Sequence, residues 1–459
     1  MTRNIGTFPE LSNNQNIQTF SALTKNQKEA VGLLSVGTFL EYFDLMIYVH
    51  MATLLNELFF PKTDPHTASL LQAFAFSSTF VFRPIGALIF GYIGDTISRK
   101  STVIITTMMM ATSCVIMATL PTYSQIGIVA SWAITGCRII QGTSCMGEII
   151  GAELYLTEIA KPPLQYPLVG CVGIAAVVGS VAALAISNIV LICGIGWRIA
   201  FWIGAMIAIV GAVARTTLRE TPEFANAKNR IKKVYNESHI DQINLQSDPI
   251  FNEKVNKKTL WALFILYCEW PISFYFIYIY STNILKNNFG YSAEEIIHHN
   301  FIIVLVQLLV TILKTILTYK IYPLTLLKIR LIMYLVFTLF CPYLLNNMTT
   351  ASHLLWIQLI IVFLTGANFA APIFFKHLPI FKRFTYSSFI YSISRALIYV
   401  FTSFGVVYLI KYFNHYGFFM ITFPINVLCY WGLCHFENLE KQAGNYPHNL
   451  SLQPIHNFV

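Results

Sequence analysis

Charge is what this sequence has least of. Of its 459 residues only 11% are Asp, Glu, Lys or Arg, where a soluble domain carries about 25%. With 56% hydrophobic residues and a mean hydropathy of +0.60, the chain cannot keep a surface solvated, so a water-soluble globular class is excluded. The nine cysteines contain no C-x-x-C pair, and Cys114, Cys137, Cys145, Cys171 and Cys268 fall in apolar runs. They read as small buried hydrophobes, with no disulfide framework or metal centre expected. No G-x-S-x-G, H-E-x-x-H or P-loop sequence stands where it could do chemistry, so an enzyme is not expected. The tail after Cys434 shows no heptad pattern, and Met1–Lys28 has no apolar core that would make it a cleavable signal.

What the chain does have is apolar runs of bilayer length separated by short polar gaps. They span residues 29–51, 68–92, 102–120, 125–150, 168–192 and 198–216, then 259–281, 296–318, 329–346, 352–374, 385–410 and 415–434. This is an all-α membrane protein of twelve transmembrane helices in two six-helix bundles, 29–216 and 259–434. A Lys-, Asn- and Glu-rich linker, 217–258, joins them, and polar tails cover 1–28 and 435–459. The net charge of +9 does not indicate nucleic-acid binding, because its location matters more than its sum. Arg99, Lys100, Lys228, Arg230, Lys232, Lys233, Lys254, Lys257 and Lys258 cluster on one side of the spans, whereas the other side holds few cations, such as Lys62 and Lys286. That asymmetry places the linker, the tails and both termini in the cytoplasm.

The first run contains Glu41 and Asp44, three residues apart and so on one face of a helix. Two carboxylates inside a membrane need protons, cations or water, and two that close couple their protonation, which suits proton binding and release. The competing reading is a structural ion pair with Arg83 or Arg138. Arg138 lies mid-span and must meet a carboxylate, a substrate or a water cavity, with Glu148 as a possible partner. Glu153 reads as a helix-end charge near the cytoplasmic surface. Between two apolar runs, Phe82–Lys100 forms a tight charged hairpin in which Gly91 and Gly94 permit close helix approach. Asp95, Arg99 and Lys100 could bridge helix ends there, or serve only as topogenic charges.

These residues also carry a resemblance. Gly91, Asp95, Arg99 and Lys100 match the signature G-x-x-x-D-[RK]-x-G-[RK]-[RK], with Thr96 and Ser98 departing from it. Arg83-Pro84-Ile85-Gly86 matches R-P-x-G, and Glu41-Tyr42-Phe43-Asp44 matches E-[WYF]-[FY]-D. The run from Arg138 through Gln141 and Gly142 to Glu148 is similar to a fourth-helix motif, with Met146 where a glycine is common. Gly196-Trp197-Arg198 and Arg219-Glu220-Thr221-Pro222 complete the set. On this basis the chain resembles the metabolite:proton symporter branch of the major facilitator superfamily, which includes bacterial proline/glycine-betaine transporters. The resemblance implies alternating access around a central cavity, with the bacterial inner membrane as location. It implies a coupling network of Glu41, Asp44, Arg138 and Glu148, and gating by Arg83, Gly91, Gly94, Asp95, Arg99 and Lys100.

The second half is less informative. Glu269, Trp270 and Tyr275, beside the helix-kinking Pro271, could line a cavity and hold a quaternary ammonium by cation–π attraction, or belong to an interfacial belt. Lys314 and Arg395 read as intramembrane cations that snorkel. His298 and His299 read as a solvated helix end, and Lys320, Lys328 and Arg330 as scattered remnants of a second loop signature. The expected function is import of a small polar metabolite, first proline or glycine betaine, with the proton as coupling ion and no cofactor. Import of a dicarboxylate or other organic acid, export of drugs or metabolites, and a transport-inactive receptor are the alternatives. The expected partners are the solute, protons and the lipid bilayer.

Overall fold

The computed structural model describes residues 24–61, 79–192, 196–216, 255–366 and 369–447, and among these the chain forms helices and no strands. The first half holds α1 (Lys25–Phe59), α2 (Arg83–Thr96), α3 (Arg99–Thr119), α4 (Ile128–Ile159), α5 (Gln165–Ile192) and α6 (Arg198–Arg215). The second holds α7 (Lys257–Phe274), α8 (Ala293–Leu317), α9 (Pro323–Asn346), α10 (Ala351–Leu364), α11 (Arg383–Val400) and α12 (Tyr416–Gln442). Among the described residues α1, α3, α5, α7, α8, α9 and α12 are long and apolar enough to cross a bilayer, α7 together with the helical turns that continue it to Phe289. The apolar helices α6 and α10 are shorter. α4 has the length, but Arg138, Gln141, Glu153 and Glu158 dilute its hydropathy. Most of the expected linker and of the N-terminal tail lies outside the described residues.

Local chemistry explains the boundaries. Pro84, which has no N–H to leave unbonded, sits in the first turn of α2. The Ser98 hydroxyl caps α3 by accepting from the Ser101 N–H at 3.0 Å. Ser292 and Glu295 form a reciprocal capping box on α8. Pro271 inside α7 removes a backbone donor, and the helix widens to a π turn over Tyr275–Tyr280.

Several helices run past their apolar stretches, α1 to Phe59 and α4 to Ile159 among them, and three segments of the second half differ in kind. The run 352–374 is not one helix: α10 stops at Leu364, Gly366 takes φ +70°, and a short helix, Ala371–Lys376, follows. α11 passes through a π turn, Phe401–Gly405, before resuming at Val406–Phe413. α12 continues past Cys434 to Gln442, so the expected tail boundary at 435 falls within a helix. Glu437 and Glu440 remain buried there because Lys328, Lys441, His377 and Tyr322 satisfy them.

The packing is inside-out relative to a soluble protein. Ile89, Tyr92, Val210, Leu309, Phe340 and Trp356 are exposed, whereas Arg83, Arg138, Glu41 and Asp44 are buried. An apolar exterior suits hydrocarbon, and charges gather where they can pair. In the first half α1 packs on α4, α5 and α6, and α3 on α4 and α6. In the second, α12 packs on α7 and α9, and α10 on α8 and α9. The halves meet chiefly along two seams, α2 with α11 and α5 with α8.

Candidate functional site

The helical spacing of Glu41 and Asp44 turns both carboxylates into the first half, where two arginines meet them. Arg83 Nη2 lies 3.7 Å from Glu41 Oε1. Arg138 Nη1 lies 3.2 Å from Asp44 Oδ2 and donates to Gln141 Oε1 at 2.9 Å. Each guanidinium also faces a ring, Arg83 over Phe80 at 4.6 Å and Arg138 over Tyr48 at 4.0 Å. The Cys114 thiol donates to Asp44 Oδ1 at 3.7 Å. Both ion pairs left open by the sequence therefore form. Arg83 belongs with Glu41 in this network, away from the gating turn with which it was grouped. Arg138 Nε and Nη2 lack hydrogen-bond partners, so this buried pair is incompletely satisfied. Glu153 is 2% exposed, not a solvated helix-end charge, because α4 runs on to Ile159 and keeps it within the bundle. The side chain of Glu148 lies outside the described residues.

The last turns of α2 are hydrogen-bonded to the other half. The Asp95 carboxylate accepts from the Phe384 and Thr385 N–H groups at 3.1 and 2.7 Å, and from the Thr385 hydroxyl at 2.7 Å. It thus caps the first turn of α11, where free N–H groups and the helix dipole favour an anion. Gly91 and Gly94 make the approach possible. A Cβ on Gly91 would stand 2.6 Å from Thr385 Cα, and one on Gly94 would stand 2.0 Å from the Phe384 ring. Lys100 bridges helix ends within the first half. Its Nζ donates to the Thr216 carbonyl at 2.6 Å, beyond the end of α6 in its own bundle. The Arg99 side chain lies outside the described residues. Ser98, one of the motif departures, supplies the cap of α3. Two further cross-half contacts escaped the sequence reading. Arg383 Nη1 lies 3.5 Å from Glu158 Oε1, and Gln165, with its amide turned to accept, receives Lys376 Nζ at 2.8 Å.

In the second half the expected cage separates. Glu269 is engaged by Arg330 in a bidentate pair, Nη1 to Oε1 at 2.5 Å and Nη2 to Oε2 at 2.8 Å. Tyr275 is buried in the apolar core and does not line the cavity. Trp270 alone of the three reaches it. Arg330, read as a loop remnant, also donates to the Leu364 carbonyl at 3.0 Å. Lys314 does not snorkel. Its Nζ donates to the Thr365 carbonyl at 2.5 Å and to those of Val362 and Gly366 at 3.4 Å, where α10 ends and the dipole favours a cation. His299 is buried against Gln358 Oε1 at 2.7 Å, while its neighbour His298 is exposed.

The cavity itself lies between α1 and α5 of one half and α7, α8, α10 and α11 of the other. Its volume is about 70 Å³, room for a few water molecules, and Tyr42, Trp270, Gln307, Lys314, Phe369 and Arg395 are on its wall.

A model of the "Sugar (and other) transporter" family matches residues 31–379. The chain belongs to this family, within the major facilitator superfamily. The chain is 29% identical over 283 residues to a proline/betaine transporter of Salmonella typhimurium, covering 58% of this chain and 55% of that protein. It is 34% identical over 226 residues to the inner membrane metabolite transport protein YhjE of Escherichia coli, covering 47% and 51%. The matched stretch spans about half the length of these relatives. Its fold is similar to that of the proton:xylose symporter XylE bound to 6-bromo-6-deoxy-D-glucose, with TM-score 0.72 at 14% identity over 90% of this chain and 96% of that one. The human organic anion transporter MFSD10 gives 0.61 at 14% identity over 89% and 100%. The fold is thus the twelve-helix, two-bundle fold of the superfamily.

Proposed function

We propose that this transporter imports a small polar metabolite together with protons, by alternating access between its two bundles. The bacterial inner membrane, with both termini in the cytoplasm, is its proposed location, supported by the placement of its basic residues and the bacterial relatives. Proline and glycine betaine come first as solutes because relatives bear the name proline/betaine transporter. The observation that carries the coupling mechanism is the buried double pair, Glu41 with Arg83 and Asp44 with Arg138. Protonating one carboxylate removes its charge and leaves its arginine uncompensated, which is costly inside a membrane. The bundle then relaxes toward another arrangement, and loss of the proton on the far side restores the first. Glu148 is proposed as a further member. Asp95, Gly91 and Gly94 hold one face shut, and opening that face breaks the Asp95 cap.

Uptake of labelled proline and glycine betaine into proteoliposomes with an alkaline interior tests this reading. Accumulation should collapse with a protonophore and fail in Glu41→Gln and Arg138→Ala. Full proton-driven accumulation by either variant sinks the coupling role. A second reading, import of an organic acid, is supported by two cations on the cavity wall, Lys314 and Arg395. Labelled succinate in the same vesicles separates it from the first.

A further inference from the structure

Two further side chains close the Asp44–Arg138 pair into a ring. Arg138 Nη1 donates both to Asp44 Oδ2 at 3.2 Å and to Gln141 Oε1 at 2.9 Å. The other end of that amide, Gln141 Nε2, donates to Cys114 Sγ at 3.8 Å, and the Cys114 thiol donates to Asp44 Oδ1 at 3.7 Å. Three helices thus meet at one carboxylate, with Oδ2 held from α4 and Oδ1 held from α3. All four side chains are buried, Cys114 at 0% exposure. The two oxygens have unlike partners. The guanidinium at Oδ2 keeps its charge throughout. The thiol at Oδ1 is a weak donor whose sulfur can also accept.

We propose that Cys114 is a positioning residue for proton uptake: it holds Asp44 in its charged form and makes Oδ1 the oxygen that takes the proton. This rests on the reading of Asp44 as a coupling carboxylate. When the proton arrives, the thiol hydrogen turns aside about the Cβ–Sγ bond and the new O–H donates to the sulfur. Oδ2 stays on Arg138, while α3 exchanges a donor for an acceptor. Gln141 takes part by orienting the sulfur from the far side. The other groups around Asp44 are few. Tyr48 lies on the Arg138 guanidinium, Glu41 stands one turn back and is paired with Arg83, and Cys137 lies on α4 within electrostatic reach. α5 carries no Asp, Glu, Lys, Arg or His, and α6 carries only Arg198 and Arg215, at its two ends. The thiol is therefore the neighbour of Oδ1 that distinguishes the charged from the neutral carboxyl.

Infrared spectroscopy of the purified full-length protein, followed across pH without any gradient, tests this apart from flux. The carbonyl stretch of a protonated carboxyl reports the event, and Asp44→Asn identifies the Asp44 band by its loss. In Cys114→Ala the charged carboxylate loses a donor, so the midpoint of that band should move to higher pH. Cys114→Ser keeps a donor and should return the midpoint to the wild-type value or below it. Cys429 is an equally buried thiol in the other half that donates to the Ile265 carbonyl at 3.2 Å, and Cys429→Ala should leave the midpoint in place. Elution and melting of each variant as a folded protein separate a changed proton affinity from a changed structure. A thiol that only fills space would alter melting and leave the midpoint alone. An unmoved midpoint in Cys114→Ala overturns the inference, as does the lack of any Asp44-dependent band across the pH range in which the protein stays folded. The expected shifts, in a protein that shows no proton-driven uptake, remove the coupling reading and leave the positioning role of Cys114 standing.

Discussion

Asp44 and Arg138 sit at 3% and 1% exposure, and neither tolerates being left alone. Arg138→Ala should cost about 3–5 kcal/mol, because it strands a buried carboxylate. Asp44→Asn combined with Arg138→Gln should recover much of the loss, since both charges leave together. Thermal unfolding of the two variants in detergent checks this, and equal losses would mean that the pair does not act as a unit. Glu41 and Asp44 were legible because a three-residue spacing fixes a shared helix face before any neighbour is known. Arg330 was not legible. Its partner Glu269 lies 61 positions away on another helix, and neither carries a local pattern that announces the other. Glu153 and His299 misled for the same reason: a charge near a run's end reads as solvated unless the neighbouring helices are in view.

For the elements, the contact of α2 with α11 decides most. Gly94→Val would drive a side chain into Phe384 and hold the seam apart. The expected result is greater reagent access to cysteines introduced along the Arg383 end of α11, read by maleimide labelling in membranes of known orientation. Asp95→Asn should act in the same direction but more weakly, by about 1 kcal/mol, because it removes the charge on the helix N-terminus and keeps some capping capacity. Labelling unchanged in both variants would mean that this contact does not hold the seam. Just past α10, Gly366→Ala combines a left-handed φ of +70° with a Cβ 3.2 Å from Trp270, and a loss of about 1 kcal/mol or more in thermal stability is expected. Apolar runs located the membrane helices well, because hydropathy is summed over many residues. The break after α10 and the extension of α12 depend on one glycine and a set of distant ion partners, which no run of apolar residues reports.

Taken whole, the molecule is two bundles joined along α2 with α11 and α5 with α8. One set of polar contacts crosses between the halves around Asp95, Glu158 and Gln165, and the cavity lies along the second seam. Exchanging the charges of Glu158 and Arg383 should preserve uptake, whereas Glu158→Arg alone should reduce it several-fold by setting two cations against each other. Uptake by the three variants in the same vesicles decides whether that bridge matters to the cycle.

α11 carries both the Asp95 contact and Arg395, whose Nη1 has no hydrogen-bond partner. Phe384 and Thr385 take the Asp95 carboxylate at one end, and Arg395 stands further along the same rod. Eleven residues from Phe384 to Arg395 span about 16 Å at helical rise, with no break between them. A continuous hydrogen-bonded helix transmits axial displacement as a push-rod does. An axial shift at Arg395 is expected to reach the Asp95 cap, and loss of the cap is expected to reach Arg395, which cysteine accessibility near Arg383 in Arg395 and Asp95 variants would read.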